Sequence, residues 1–187
     1  MTPPDGATTV LREEHRLILA VTGVLEKLLD ARADGDPLDI DAVESCTTFF
    51  RLFADACHHG KEEDLLFTEL ENHGLSRSMG PLAVMLYEHR QGRELVGGMW
   101  EALDGARSGD GDAMRRLVTS GRGYIDLIRG HILKEDNVLF EMADNMVTGP
   151  ACERLCDAYD GACRREFDGC TKAQLEGIAA DLVERFA

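Results

Sequence analysis

Six residues carry a pattern that could do chemistry: His15, His58, Glu62, His89, His131 and Glu135. His58–Glu62 and His131–Glu135 are i, i+4 pairs, a spacing that puts an imidazole and a carboxylate on one face of a helix. The stretch 58–67, HHGKEEDLLF, aligns with 131–140, HILKEDNVLF, and five of ten columns are identical. Glu14-His15-Arg16 aligns in the same way with Glu88-His89-Arg90. His15 precedes His58 by 43 residues, and His89 precedes His131 by 42. The chain therefore states H…HxxxE twice. A lone buried histidine is commonly a hydrogen-bonded core residue, and a Lys-Glu-Glu-Asp run is commonly a solvated face. Packing alone gives no reason for both to recur at matched separations.

Four imidazoles and two carboxylates converging at one level suit a pair of first-row transition ions. A single zinc ion needs only three or four ligands. The residues three before each histidine are Arg12, Asp55, Ala56, Leu70, Leu86 and Ile128, so the Glu-x-x-His pairs of ferritin-like bundles are absent. No HExxH, GxGxxG or GxxxxGK[ST] occurs, which excludes zincin and nucleotide-binding fingerprints. His59–Glu63 repeats the i, i+4 spacing one residue on. The register is decided by Leu66-Phe67 and Leu139-Phe140, each pair 8 and 9 residues after His58 and His131. His59 is then expected toward a neighbouring helix or solvent, with a fifth imidazole ligand as the alternative. His73, beside Gly74, reads as a loop histidine and Cys57 as a small core residue. Tyr124 shares the face of His131 two turns away, either lining the site or simply buried.

Helical spacing and punctuation position these residues. The five prolines, at 3, 4, 37, 81 and 150, fall where helices should begin or end. The first helix is expected from Thr8 or Thr9 to about Ala33, with Leu11, Ile18, Leu25, Leu28 and Leu29 on one face and Asp34-Gly35-Asp36-Pro37 ending it. The second runs 39–72, capped by Asp39 or Asp41; the third runs 80–106, with Pro81 in its first turn; the fourth runs 113–146, stopped by Thr148-Gly149-Pro150. Two shorter helices follow over 151–168 and 172–186, Thr171 capping the last, and strand signals are nearly absent. The expected fold is all-α: an antiparallel up-down-up-down four-helix bundle over 1–149 with a short C-terminal helical extension over 150–187. The extension has no histidine and lies outside the repeat. The bundle is expected to hold its ions without it, and the extension to dock on the bundle or a partner subunit. On one continuous helix, Cys152, Cys156, Cys163 and Cys170 would share a stripe within about 40°. That stripe reads first as an apolar docking face, with redox sensing or a second metal site as alternatives.

The remaining composition narrows the class. The chain has 187 residues, 35 acids against 20 bases, and a formal net charge of −15. Such a surface repels phosphate backbones and anionic headgroups, so neither nucleic acid nor membrane is an expected partner. There is no apolar run of the ~18 residues a membrane span needs. The first fifteen residues show neither a basic nor an apolar leader region, so a cytoplasmic location is expected. The six cysteines include no CxxC pair and are expected as reduced thiols.

On these residues the sequence resembles the hemerythrin-like, or HHE cation-binding, family over about residues 8–146. That family's signature is a His in the first helix, H-x3-E-E-x2-L-F in the second, a His in the third, and H-x3-E followed by Leu-Phe in the fourth. The resemblance implies a non-haem di-iron centre held by His15, His58, Glu62, His89, His131 and Glu135. Both glutamates would bridge the irons beside an oxo or hydroxo bridge. Oxygen-carrying members place HxxxH in the third helix; here Arg93 stands four residues after His89. The ligand pattern is closest to bacterial four-His/two-Glu members. It implies a centre that reacts with or binds peroxide, dioxygen or nitric oxide, in an oxidative or nitrosative stress or iron-centre repair role. If it is an enzyme, it is a di-iron oxidoreductase; the alternative is an iron- or oxygen-sensing module without turnover. A homo-oligomer or partner contact would form through 151–187.

Overall fold

The computed structural model describes residues 6–33 and 35–187. The expectations for Pro3, Pro4 and Asp34 lie outside the described residues. Four long helices form the body: α1 (Thr9–Ala33), α2 (40–72), α3 (Gly80–Arg107) and α4 (111–146). α1 packs on α2 and α4, and α3 packs on the same two, so consecutive antiparallel helices close a four-membered ring. Asp39 caps α2 by accepting from the Ala42 N–H, and Asp110 caps α4 by accepting from Asp112 and Ala113. Pro81 occupies the first turn of α3. The α3–α4 approach is close because it is lined by glycine. A Cβ on Gly105 would stand 2.6 Å from the Ala113 Cβ, and one on Gly98 would stand 2.6 Å from the Ser120 hydroxyl.

The bundle ring is fastened near its start. Thr8 donates from its N–H and its hydroxyl to the two carboxylate oxygens of Asp144, at 3.0 and 2.8 Å. Arg12 donates to the Asp136 carbonyl at 2.8 Å.

Apolar side chains collect in two clusters along the axis. One holds Ile18–Leu29 positions of α1 with Phe49, Phe50 and Phe53 of α2, Met99 of α3 and Ile125 of α4. The other holds Leu11, Leu66, Phe67, Leu82, Leu139 and Phe140. The six singled-out residues fall between these clusters in every helix, a buried polar layer between two dry ones.

Beyond the ring come α5 (Pro150–Cys163), a two-residue hairpin β1 (Glu166–Phe167) and β2 (Cys170–Thr171), and α6 (Lys172–Arg185). Asp168 and Gly169 turn the hairpin with φ of 52° and 80°, the doubly positive pattern that an Asp-Gly turn favours. This corrects the expected helix over 151–168, which stops at Cys163. It also removes the single cysteine stripe. Cys152 joins the Leu66–Phe140 cluster, Cys170 sits on the hairpin against the other cluster, and Cys163 closes α5. Leu175, Ala179 and Leu182 of α6 are fully buried in the bundle's larger cluster, so the extension completes the core. No described helix is long and apolar enough to cross a membrane.

Candidate metal centre

α2 and α4 are not uniform α-helices. Both contain a π turn that begins at the glutamate of the repeat, Glu62–Leu66 and Glu135–Leu139. The Phe67 N–H donates to the Glu62 carbonyl and the Phe140 N–H to the Glu135 carbonyl, each five residues back. In α winding, five residues rotate about 140° out of line. The wider turn brings glutamate and phenylalanine onto one inward face. Phe140 then stacks on His15 at 5.1 Å between centroids, and Phe67 on His89 at 5.9 Å. The Leu-Phe pair of each repeat thus acts physically through its aromatic ring, which backs the single histidine of the facing helix. A longer π segment, Phe50–His59, precedes the first of these turns.

The structure brings all six predicted side chains into one buried layer and adds a seventh. His59, expected to face elsewhere, is buried and stacks on His89 at 3.9 Å. The seven form two groups. One ligand atom from each of His59, Glu62, His89 and His131 lies within 4.8 Å of the others, and the same holds for His15, His58, Glu62 and Glu135. Glu62 belongs to both. Glu135 also approaches the first group, 3.2 Å from His131 Nε2 and 3.9 Å from His89 Nε2.

Each imidazole is oriented by a carboxylate on its Nδ1. His15 meets Asp136 at 2.8 Å, His58 meets Glu14 at 2.9 Å, His89 meets Glu63 at 2.7 Å, His131 meets Glu88 at 3.0 Å, and His59 meets Asp55 at 3.4 Å. An ionised carboxylate only accepts, so each Nδ1–H donates and each Nε2 is the nitrogen turned into the layer, the orientation a metal ligand needs. The arrangement obeys the repeat. Glu14 serves His58 as Glu88 serves His131, and Glu63 serves His89 as Asp136 serves His15. Lys61 pairs with Glu14 as Lys134 pairs with Glu88. His59 and Asp55 have no such counterparts, because Ile132 and Ile128 occupy the equivalent positions.

Among the described residues, the buried side-chain atoms without a hydrogen-bond partner are His15 Nε2, His59 Nε2, both oxygens of Glu62, both oxygens of Glu135, and the Tyr159 hydroxyl. Leaving so many acceptors dry is costly unless cations sit among them. The donor set of imidazole nitrogen and carboxylate oxygen fits first-row transition ions. Tyr159, from α5, was not signalled by the repeat. Its hydroxyl is pushed up by burial and then by the charge of Glu62.

The metal-free electrostatics fit the same reading. Burial first, then the charge of Glu135, pushes the Glu62 carboxyl well up. Burial opposes a charge on His131, yet Glu135 and Glu88 outweigh it and raise that imidazole to about 9. Burial lowers His58 to about 3, against the pull of Glu14. Tyr124 is buried but packs on Phe50 rather than into the ligand layer. His73 stays outside the cluster at the end of α2, its ring 2.9 Å from the Glu69 carbonyl. A cavity of about 360 Å³ between α2 and α3 reaches His59 from outside, lined by Asp55, Gly92, Arg93, Trp100 and Tyr124.

The hemerythrin HHE cation-binding domain matches residues 6–143, and the chain belongs to that family. Uncharacterized proteins of Mycobacterium tuberculosis and Mycobacterium bovis are each 23% identical to it over 164 residues. The match takes in 88% of this chain and 64% of theirs, so the chain spans somewhat less than two thirds of their length. No solved structure matches it.

Proposed function

We propose that this chain is a non-haem di-iron protein whose centre reacts with or binds peroxide, dioxygen or nitric oxide in the cytoplasm. The observation that carries it is the pair of four-residue groups sharing Glu62, with Glu135 reaching both. One ion would be held by His59, Glu62, His89 and His131, the other by His15, His58, Glu62 and Glu135. Held by these residues, two redox-active ions would supply electrons in pairs to peroxide, dioxygen or nitric oxide.

The protein's own contribution is positional. Five carboxylates fix five imidazole tautomers, and Phe67 and Phe140 hold two rings flat. The apolar clusters above and below keep bulk water from the layer, which strengthens every charge interaction inside. The cavity beside His59 admits a small ligand from between α2 and α3, and Arg93, four residues after His89, lines it while bridging Asp55 and Glu63 at 2.8 and 2.7 Å.

Element analysis of protein from iron-replete cells should give two irons per chain. One metal or none after careful reconstitution would end the dinuclear reading. Anaerobic reduced protein, mixed separately with peroxide, dioxygen and nitric oxide, should consume peroxide or bind nitric oxide. If it instead binds dioxygen reversibly and is otherwise inert, the chain is a carrier.

A further inference from the structure

We propose a second redox site beside the metal layer: Cys163 and Cys57 form a peroxide-reactive thiol pair that closes into a disulfide joining α5 to α2. The site is independent of which metal the histidines hold.

Two sulfurs from distant parts of the chain meet over one buried ammonium. Lys61 Nζ lies 3.8 Å from Cys57 Sγ and 3.6 Å from Cys163 Sγ, so one donor holds both sulfurs to itself. Lys61 is fully buried and also pairs with Glu14. Lys172 of α6 reaches Glu14 at 2.9 Å, adding a second positive charge nearby. Cys57 is buried, whereas Cys163 is partly exposed. A cavity of about 320 Å³ is lined in part by Cys57, Lys61 and the α5 residues Gly161 and Ala162 that immediately precede Cys163, and Cys163 itself is reached from solvent through its own partial exposure. The cavity has room for a small hydroperoxide. The neighbouring Cys57 thiol lowers the Cys163 thiol to about 6 against its burial, helped by the charges of Lys61 and Lys172. Such electropositive, accessible surroundings favour the thiolate, the nucleophilic form of cysteine.

The chemistry balances without a further reactant. The Cys163 thiolate attacks one oxygen of the hydroperoxide. The O–O bond breaks, and the departing oxygen leaves as water or an alcohol after taking up a proton. Cys163 is now a sulfenic acid, oxidised by two electrons as the peroxide is reduced by two. Cys57 sulfur then attacks Cys163 sulfur, the S–S bond forms, the S–O bond breaks, and hydroxide leaves as water with the Cys57 proton. Cys152 and Cys156, one turn apart on α5, are the competing pair.

The test uses reduced, metal-loaded protein, treated with one equivalent of hydrogen peroxide or, separately, diamide, which oxidises thiol pairs without peroxide chemistry. Alkylation and peptide mass mapping should find a Cys57–Cys163 linkage as the main product under both oxidants. The number of free thiols should fall from six to four. Cys57→Ser should stop the linkage and leave Cys163 as a sulfenic acid that dimedone traps; Cys163→Ser should abolish both signals. Should one variant lose metal or helicity, wild-type mapping and the other variant decide. Alkylation of Cys163 should also reach its plateau by about pH 7, well below the ~8.5 midpoint of an ordinary thiol. A Cys152–Cys156 linkage forming first, or six intact thiols after diamide, would overturn the proposal.

Discussion

His59→Ala should strip metal as effectively as His58→Ala, whereas His73→Ala should leave the metal content unchanged. Metal analysis of the three variants decides whether the second consecutive histidine is a ligand. Glu88→Gln should weaken metal retention by roughly 10–100-fold against a chelator, because the neutral amide oxygen accepts from His131 Nδ1–H more weakly and no longer raises the basicity of the imidazole. Loading has a sign in pH as well. Metal-free His131, raised to about 9, holds a proton at pH 7 that a ligand must give up, and the upward push of burial on the Glu62 carboxyl acts in the same direction. Metal uptake should therefore release protons, and affinity should climb with pH until about 9, followed with an indicator dye in weak buffer. The repeat made six of these side chains legible, since matched spacings are a property of sequence. It hid His59, because its counterpart Ile132 argued for an ordinary position. The orienting carboxylates were in plain view as Glu14, Glu63, Glu88 and Asp136. Only packing between helices shows which imidazole each one serves.

At the scale of the element, helix positions follow from periodicity, caps and prolines, and the structure keeps the four long helices near where those signals put them. The π turns were not legible. A single widened turn shifts the apolar pattern by less than a residue, and its purpose, aligning glutamate with phenylalanine, appears only once the facing ring is in place. The 166–171 hairpin was legible in principle through Asp168-Gly169, but two-residue strands carry no alternation to draw attention to it. The glycine-lined α3–α4 contact gives a stability test. Gly105→Ala forces a methyl to 2.6 Å from another Cβ that cannot rotate away. Helix propensity favours alanine by ~1 kcal/mol, but overpacking of this kind costs about 1–3 kcal/mol. Urea midpoints should fall. Gly177→Ala, on the exposed face of α6 with open space around it, should instead gain up to ~1 kcal/mol in the same assay.

Across the whole molecule, the extension docks on the bundle and buries Leu175, Ala179 and Leu182 in its core. It contributes no histidine, yet Tyr159 carries a buried, unpartnered hydroxyl that feels the charge of Glu62, Lys172 holds Glu14, and α6 fills the core. Truncation after Gly149 should therefore lower both metal content and thermal stability, measured on the purified bundle, instead of leaving the centre intact. The Thr8–Asp144 fastening, which spans 136 residues, has a consequence for how the protein is born. A chain leaving the ribosome from its N-terminus presents α1 to α3 first, carrying His15, His58, His59, Glu62 and His89. His131, Glu135 and the acceptor for Thr8 are still inside the exit tunnel at that moment. Four imidazoles and one carboxylate are then displayed with nothing to close the ring around them. On the proposed reading, a paired centre would form only after the fourth helix is released, so metal insertion would follow the synthesis of that helix.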